Sequence, residues 1–169
     1  MEEKMENKIE IVPNMERVRK IITKNRLYII VFIMLLNMAF SPLHIVAKVF
    51  ILTFLSVLAI LKGLKLIYIS NVVKNPITID KEMKAFSYYD EFSFKRKSFN
   101  IDQMTKVAIY RKKELPSIFE IRYLEENSEK IKEENLDLDA YDEESVTYML
   151  DHLLLINPGI EVEHKKLAP

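Results

Sequence analysis

The sequence predicts a pair of membrane helices followed by a small, mostly antiparallel β domain that a C-terminal helix closes. Between Leu27 and Leu61 the only acidic or basic residues are His44 and Lys48. After residue 76, apolar and polar residues alternate in short runs, which is typical of strands with one buried face. Residues 142–156 instead place apolar residues three and four positions apart, which is typical of an amphipathic helix.

The apolar region is predicted to form two helices rather than one. The runs 27–40 and 45–61 are separated by Ser41-Pro42, and proline disfavours a continuous helix. Fourteen residues rise only ~21 Å, whereas a bilayer core of ~30 Å needs about 20 residues. We therefore expect a transmembrane hairpin over 21–70. The alternative, a soluble protein that buries these helices, is disfavoured because both runs are apolar on every face.

The basic residues predict the orientation of this hairpin. They flank it on both sides: Arg17, Arg19, Lys20, Lys24 and Arg26 precede the first helix, and Lys62, Lys65 and Lys74 end or follow the second. Lys62 and Lys65 are expected to reach the membrane interface. The turn at 41–44 has no lysine or arginine, so both termini are predicted to be cytoplasmic. The expected protein is a multi-pass protein of the inner (cytoplasmic) membrane, with 1–20 as a cytoplasmic segment and no cleaved signal peptide.

The soluble domain is predicted to cover 77–160, after a linker at 71–76. Six strands are predicted, at 77–80, 85–89, 92–101, 106–111, 118–124 and 130–138. The apolar residues of the third strand change parity, so a bulge or break is expected near Lys97. Residues 161–169 are predicted to be a frayed tail.

The C-terminal helix is predicted over 142–156, with Asp142 as its N-cap. Glu143 and Glu144 would lie near the positive end of the helix dipole. The apolar residues expected to face the sheet are Val146, Met149, Leu150, Leu153 and Leu154. Asn157-Pro158-Gly159 is expected to end the helix.

Three segments together carry a resemblance to known proteins. They are Lys8–Ile11 with the basic residues and apolar region that follow, the strand Pro76–Asp80, and Phe99–Met104 before the strand Val107–Tyr110. In this arrangement the chain resembles a bacterial pleckstrin-homology-like (PH-like) membrane protein family with two N-terminal transmembrane helices. The tryptophan usual in the last segment is absent. The resemblance implies a PH-like barrel capped by the C-terminal helix, and it carries no catalytic site.

Composition excludes several kinds of site. The chain of 169 residues has no cysteine, which excludes disulfides, thiolate metal sites and cysteine nucleophiles. Its two glycines, Gly63 and Gly159, cannot form a glycine-rich phosphate loop. Residues 1–74 have eleven Lys/Arg and five Glu, a net charge of +6, and residues 75–169 have a net charge of −6. This asymmetry indicates a basic membrane-proximal half and an acidic soluble half.

Two basic clusters are the candidate ligand site of the soluble domain. They are Lys95-Arg96-Lys97 and Arg111-Lys112-Lys113. If both lie at one end of a barrel, they are expected to bind an anionic lipid headgroup, because clustered cations bind phosphate. The alternative is a solvated strand face and a charged turn.

Other polar residues give weaker candidates. The acidic run 125–144 is interpreted as a solvated surface rather than a divalent-cation or acid–base site. His44, His152 and His164 are scattered, with no catalytic or metal-ligand spacing. No catalytic residue, metal or cofactor is predicted. Arg17, Arg19 and Lys20 precede an apolar helix, which favours topology and lipid contact over nucleic-acid binding.

These observations predict a non-enzymatic, membrane-anchored cytoplasmic domain that binds or scaffolds a protein of unknown identity. The lipid bilayer is its first expected partner. One alternative is an immunity protein that protects its host against a membrane-acting toxin. Further alternatives are an anionic-lipid-binding module and a membrane enzyme that uses the acidic cluster.

Overall fold

The computed structural model describes residues 7–38, 45–112, 115–125 and 130–166. These residues form three α-helices, eight strands and a short 3-10 helix at Ile101–Gln103. The helices are α1 (Met15–Met38), α2 (Ile45–Lys74) and α3 (Glu143–Ile156). The strands are β1 (Lys8–Ile11), β2 (Ile77–Asp80), β3 (Ala85–Tyr89), β4 (Arg96–Asn100), β5 (Met104–Lys112), β6 (Leu115–Leu124), β7 (Ile131–Asp137) and β8 (Glu161–Lys166).

The strands form two separate four-stranded sheets. The first has the order β1-β2-β3-β4 and is antiparallel throughout. The second has the order β7-β6-β5-β8, in which β8 alone runs parallel to its neighbour. A parallel neighbour requires a crossover. Here α3 provides it, because it lies between β7 and β8 in the chain.

Apolar side chains from both sheets form the core. Phe86 of β3 and Phe119 of β6 are fully buried, with ring centroids 6.3 Å apart. Phe99 of β4 stacks on Tyr123 of β6 at 5.1 Å. These contacts pack one face of the first sheet against one face of the second. Alternate residues of a strand point to the same face, so each strand contributes several side chains to this core.

Helix α3 completes the core as the sequence predicts. Asp142 caps it by accepting a hydrogen bond from the Ser145 amide at 2.9 Å. Val146, Met149, Leu150 and Leu153 are buried, and Leu154 is partly buried against the core. Asn157 ends the helix, and its side-chain amide donates to the carbonyls of Ile101 and Met104 at 2.9 and 3.1 Å.

Both long helices begin or end inside the β domain. The backbone N–H of Asn14 donates to the Ala140 carbonyl at 2.8 Å. Val18 and Asn25 of α1 are buried. At the other end, Tyr68, Ile69 and Val72 of α2 are buried. Strand β1 precedes α1 and pairs with β2, which follows α2. The two helices are therefore inserted between adjacent strands of one sheet.

The predicted fold class, a transmembrane hairpin of two N-terminal helices plus a PH-like barrel, is wrong. The strands form two four-stranded sheets instead of one barrel. Among the described residues one helix is long and apolar enough to cross a membrane, at Val49–Lys74. The first half of helix α1 contains Glu16 and five of the basic residues named above, and it packs partly on the β domain.

The positions of most predicted elements are confirmed, with local exceptions. Strands are present at or within the predicted ranges 77–80, 85–89, 92–101 and 130–138. The strands predicted at 106–111 and 118–124 are present and are longer than predicted. The helix predicted at 142–156 is also present. The third strand begins only at Arg96, because a turn with a positive φ of 53° at Phe94 precedes it. The predicted frayed tail is wrong at 161–166, which pair with β5.

Candidate functional site

The first predicted basic cluster lies at the start of the edge strand β4. Lys97 binds two carboxylates, with its Nζ 2.7 Å from Glu134 Oε2 and 3.4 Å from Asp90 Oδ1. Partial burial lowers the pKa of Lys97, but these two carboxylates outweigh it and raise the pKa overall. Arg96 donates to the Thr78 hydroxyl, and Lys95 is exposed. Two of the three cations are thus engaged within the domain.

The second predicted cluster lies at the end of β5. Arg111 donates to Glu143 in the first turn of α3, and its Nη1 lies 2.7 Å from Nδ1 of His164 on β8. Lys112 is exposed. Lys113 lies outside the described residues. Arg111 therefore links the ends of three elements.

The structure does not bring the two clusters together. Glu134, which binds Lys97, pairs with Ile121, and Ile121 pairs with Val107, four residues before Arg111. Four residues correspond to ~14 Å along a strand, and two strand spacings add ~10 Å across the sheet. This separation does not favour a single headgroup site made of both clusters. Whether either cluster binds a lipid headgroup remains a prediction.

A different charged cluster lies where α2 enters the β domain. The ammonium of Lys65 binds Asp137 and lies 3.5 Å from Glu91 Oε1 and 3.8 Å from Asp139 Oδ2. It also lies 5.2 Å from the centroid of the Tyr68 ring, one helical turn later. The sequence predicts that Lys65 reaches the membrane interface. In the structure its ammonium instead contacts carboxylates of the β domain. The sequence signal for this placement is the three-residue spacing between Lys65 and Tyr68, because residues three apart lie on one face of a helix.

An open pocket of about 560 Å³ lies beside this cluster. Its lining includes Glu91, Glu120, Asp137 and Asp139, together with Phe92 at the rim. Burial raises the pKa of Asp137, while the Lys65 ammonium opposes that rise. Phe92 is 86% exposed, which is unusual for so large an apolar side chain. The pocket therefore combines negative charge with an exposed aromatic ring.

The carboxylates of the acidic run are held by donors rather than arranged for acid–base chemistry. Glu133 lies 2.7 Å from Arg122 Nε, Glu134 binds Lys97, and Asp142 caps α3. Glu125, at the start of the run, accepts from the Lys132 ammonium. Within the described ranges no three histidine or acidic side chains are placed to hold a metal ion. These contacts give the acidic run a structural role.

The histidines occupy unrelated places. His152 packs edge-on against Tyr148 with centroids 4.5 Å apart, and burial lowers its pKa. Its buried Nδ1 has no hydrogen-bond partner among the described residues. His164 contacts Arg111. His44 lies outside the described part of the chain.

The long helices expose a continuous apolar surface outside the β domain. On α2 exposed apolar residues recur from Val49 to Ile67, with Lys62 and Lys65 among the last of these positions, and on α1 they recur from Leu27 to Ile33. The two helices pack together here, where Lys62 Nζ lies 4.9 Å from the centroid of the Tyr28 ring. The surface ends abruptly at the β domain, since Tyr68 is 1% exposed. We call this surface, Leu27–Ile33 with Val49–Ile67, the helical apolar surface.

The chain was also compared with known proteins. Neither the protein-family models nor the curated proteins include a match to it.

Proposed function

We propose that the protein is a non-enzymatic, membrane-anchored module whose β domain binds a protein partner at the cytoplasmic face. The observation that carries this proposal is the helical apolar surface. Single folded proteins rarely expose contiguous apolar patches larger than a few hundred Å² unless the patch contacts a membrane or a partner. Here the exposed apolar residues continue over Val49–Ile67 of one helix. A lipid bilayer is the environment that suits this surface.

The length of the exposed segment also suits a bilayer. The 17 residues from Ile45 to Leu61 rise ~26 Å, close to the ~30 Å of a hydrocarbon core, and Lys62 follows at the end nearer the β domain. Lys24 and Arg26 lie just before the apolar part of α1, and Lys62 lies near the corresponding level of α2. Basic residues at one end of membrane segments favour the cytoplasmic side. Because β1 pairs with β2, the N-terminal strand and the rest of the β domain belong on that same side.

Alkaline carbonate extraction of membranes that contain the full-length protein tests the anchor. We expect the protein to stay in the membrane pellet. The double variant Phe54→Arg/Leu58→Arg should move it to the supernatant, because each arginine costs ~2.5–3.5 kcal/mol at the centre of a membrane helix. The control Thr147→Arg/Tyr148→Arg changes exposed residues of α3 and should stay in the pellet. Release of the unmodified protein by carbonate would contradict the anchor.

The binding role rests on the acidic pocket and Phe92. An exposed aromatic ring beside carboxylates favours a partner that presents a cationic segment with an apolar residue. A photo-crosslinking amino acid at position 92 in the full-length protein tests this, with the same residue at exposed position 148 as control. A discrete adduct from position 92 alone, weakened by salt, is expected. Absence of an adduct at position 92, or equal adducts at both positions, would contradict the proposal.

A further inference from the structure

The first half of α1 has two faces of different chemistry. Val18 and Asn25 are buried, and Arg17 donates to the carbonyls of Tyr141 and Pro116. The opposite face is exposed and basic, with Arg19, Lys20, Lys24 and Arg26. Arg17 is thus part of the folded domain, whereas the other basic residues of this segment point away from it.

The cations of the outer face are largely without counter-charges. Lys20 lies 2.7 Å from Glu16, an exposed pair of the kind that contributes little. Among the described residues no carboxylate pairs with Arg19, Lys24 or Arg26. This contrasts with Lys97 and Arg111 of the β domain, which both bind carboxylates. The positive charge of this face is therefore available to a ligand.

The same face becomes apolar at the membrane side of the helix. Lys20, Lys24, Leu27 and Ile30 recur every three or four residues, so they form one stripe along α1. The distance from Lys20 to Ile30 is ~15 Å along the helix axis. A shallow, open depression of about 700 Å³, which we call the groove, follows this stripe and is lined by α1 residues that include Glu16; Leu27 is 61% exposed. A single ligand in this groove would meet cations at one end and aliphatic side chains at the other.

We propose that this groove binds one anionic phospholipid of the leaflet that faces the β domain. Arg19, Lys20 and Lys24 contact the phosphate, and an acyl chain lies along Leu27 and Ile30. Nucleic acids and soluble phosphates lack the apolar part that this stripe requires. Basic side chains next to a membrane segment attract anionic headgroups in this way. The inference rests on the proposed membrane anchor.

Native mass spectrometry of the full-length protein in neutral detergent tests the site. The probes are dioleoyl-phosphatidylglycerol and dioleoyl-phosphatidylcholine, which share acyl chains and differ in headgroup charge. We expect phosphatidylglycerol to bind about a hundredfold more tightly, since each of the three basic contacts contributes about fivefold. The variant Arg19→Gln/Lys20→Gln/Lys24→Gln should lose this preference. The control Lys8→Gln/Lys84→Gln/Lys166→Gln removes the same charge from exposed residues outside both this face and the two predicted basic clusters, and it should keep the preference.

The outcomes separate this inference from the membrane anchor. Equal binding of the two lipids by the unmodified protein, or equal loss of preference in variant and control, would overturn the groove as an anionic-lipid site. If the protein also resists carbonate extraction in that case, the anchor stands and only the headgroup site fails. If carbonate releases the protein, both proposals fail.

Discussion

Asp142 connects two segments that are far apart in the sequence. One carboxylate oxygen caps α3 through the Ser145 amide, and the other accepts from the Asn14 side chain at 2.6 Å. Asn14 in turn accepts from the amides of Glu16 and Arg17, as an N-cap of α1 does. One carboxylate therefore fixes the beginnings of two helices relative to each other. The sequence predicts the cap, because Asp142 precedes the apolar pattern. It does not predict Asn14, which is distant in the chain.

Replacing Asp142 by alanine is expected to lower the free energy of unfolding by ~1 kcal/mol at pH 7. Hydrogen bonds from Ser145 and Asn14 hold the pKa of Asp142 below its usual value. A carboxyl whose folded-state pKa is lowered stabilises the fold above its unfolded-state pKa and loses that contribution as pH falls. The difference between Asp142→Ala and the unmodified protein should therefore shrink below about pH 4. Urea titration of the full-length protein in neutral detergent at pH 7 and pH 3 measures both effects.

Asp151→Ala is the matched control, because Asp151 is an exposed carboxylate on the same helix. It should change the unfolding midpoint little at either pH. An Asp142→Ala difference that stays constant from pH 7 to pH 3 would contradict the role of the ionised carboxylate.

At the scale of elements, local patterns predict more than distant pairings do. Helix α3 has its cap, its apolar spacing and its terminating Asn157 within one short segment, so its bounds are predictable. Strand β1 is only four residues long, and its partner β2 lies beyond both long helices. Strand β8 has one apolar residue, Val162, between charged ones, because an edge strand is held mainly by backbone pairing with β5. Strand β1 alternates polar and apolar residues but is too short to be predicted by that pattern alone, and β8 lacks the alternation.

Helix α3 allows a direct test of docking with two identical substitutions. Leu153 is fully buried, whereas Leu155 is 70% exposed. Leu153→Ala is expected to lower the free energy of unfolding by ~2–5 kcal/mol, because it removes apolar contacts and leaves a cavity. Leu155→Ala should change it by less than about 0.5 kcal/mol. Urea titration followed by circular dichroism measures both, and equal effects would mean that α3 does not pack as described.

At the scale of the whole molecule, the sequence identifies the apolar helices but not their attachment. Uniform apolarity predicts α2, and the basic residues of α1 are visible in the sequence. The sequence pattern does not show that those basic residues lie on two different faces of α1. It also does not contain the contact of Lys65 with Asp137, since that contact depends on how β7 folds back on α2. Long-range contacts of this kind distinguish the observed fold, two four-stranded sheets with a helical insertion, from the predicted barrel.

The joined helices and sheet predict a definite membrane topology. Strand β1 pairs with β2, so positions before α1 and after α2 must lie on the same side of any membrane to which the helices attach. The chain has no cysteine, so single cysteines can be introduced without background. Cysteines replacing the exposed residues Val12 and Thr147 should react with a membrane-impermeant maleimide only after the cells are permeabilised. A cysteine replacing Val57, midway along the apolar part of α2, should react in neither case, because the hydrocarbon core excludes the reagent and suppresses thiolate formation.

Labelling of position 147 in intact cells would reverse the proposed orientation. Labelling of positions 12 and 147 on opposite sides would contradict the pairing of β1 with β2 itself.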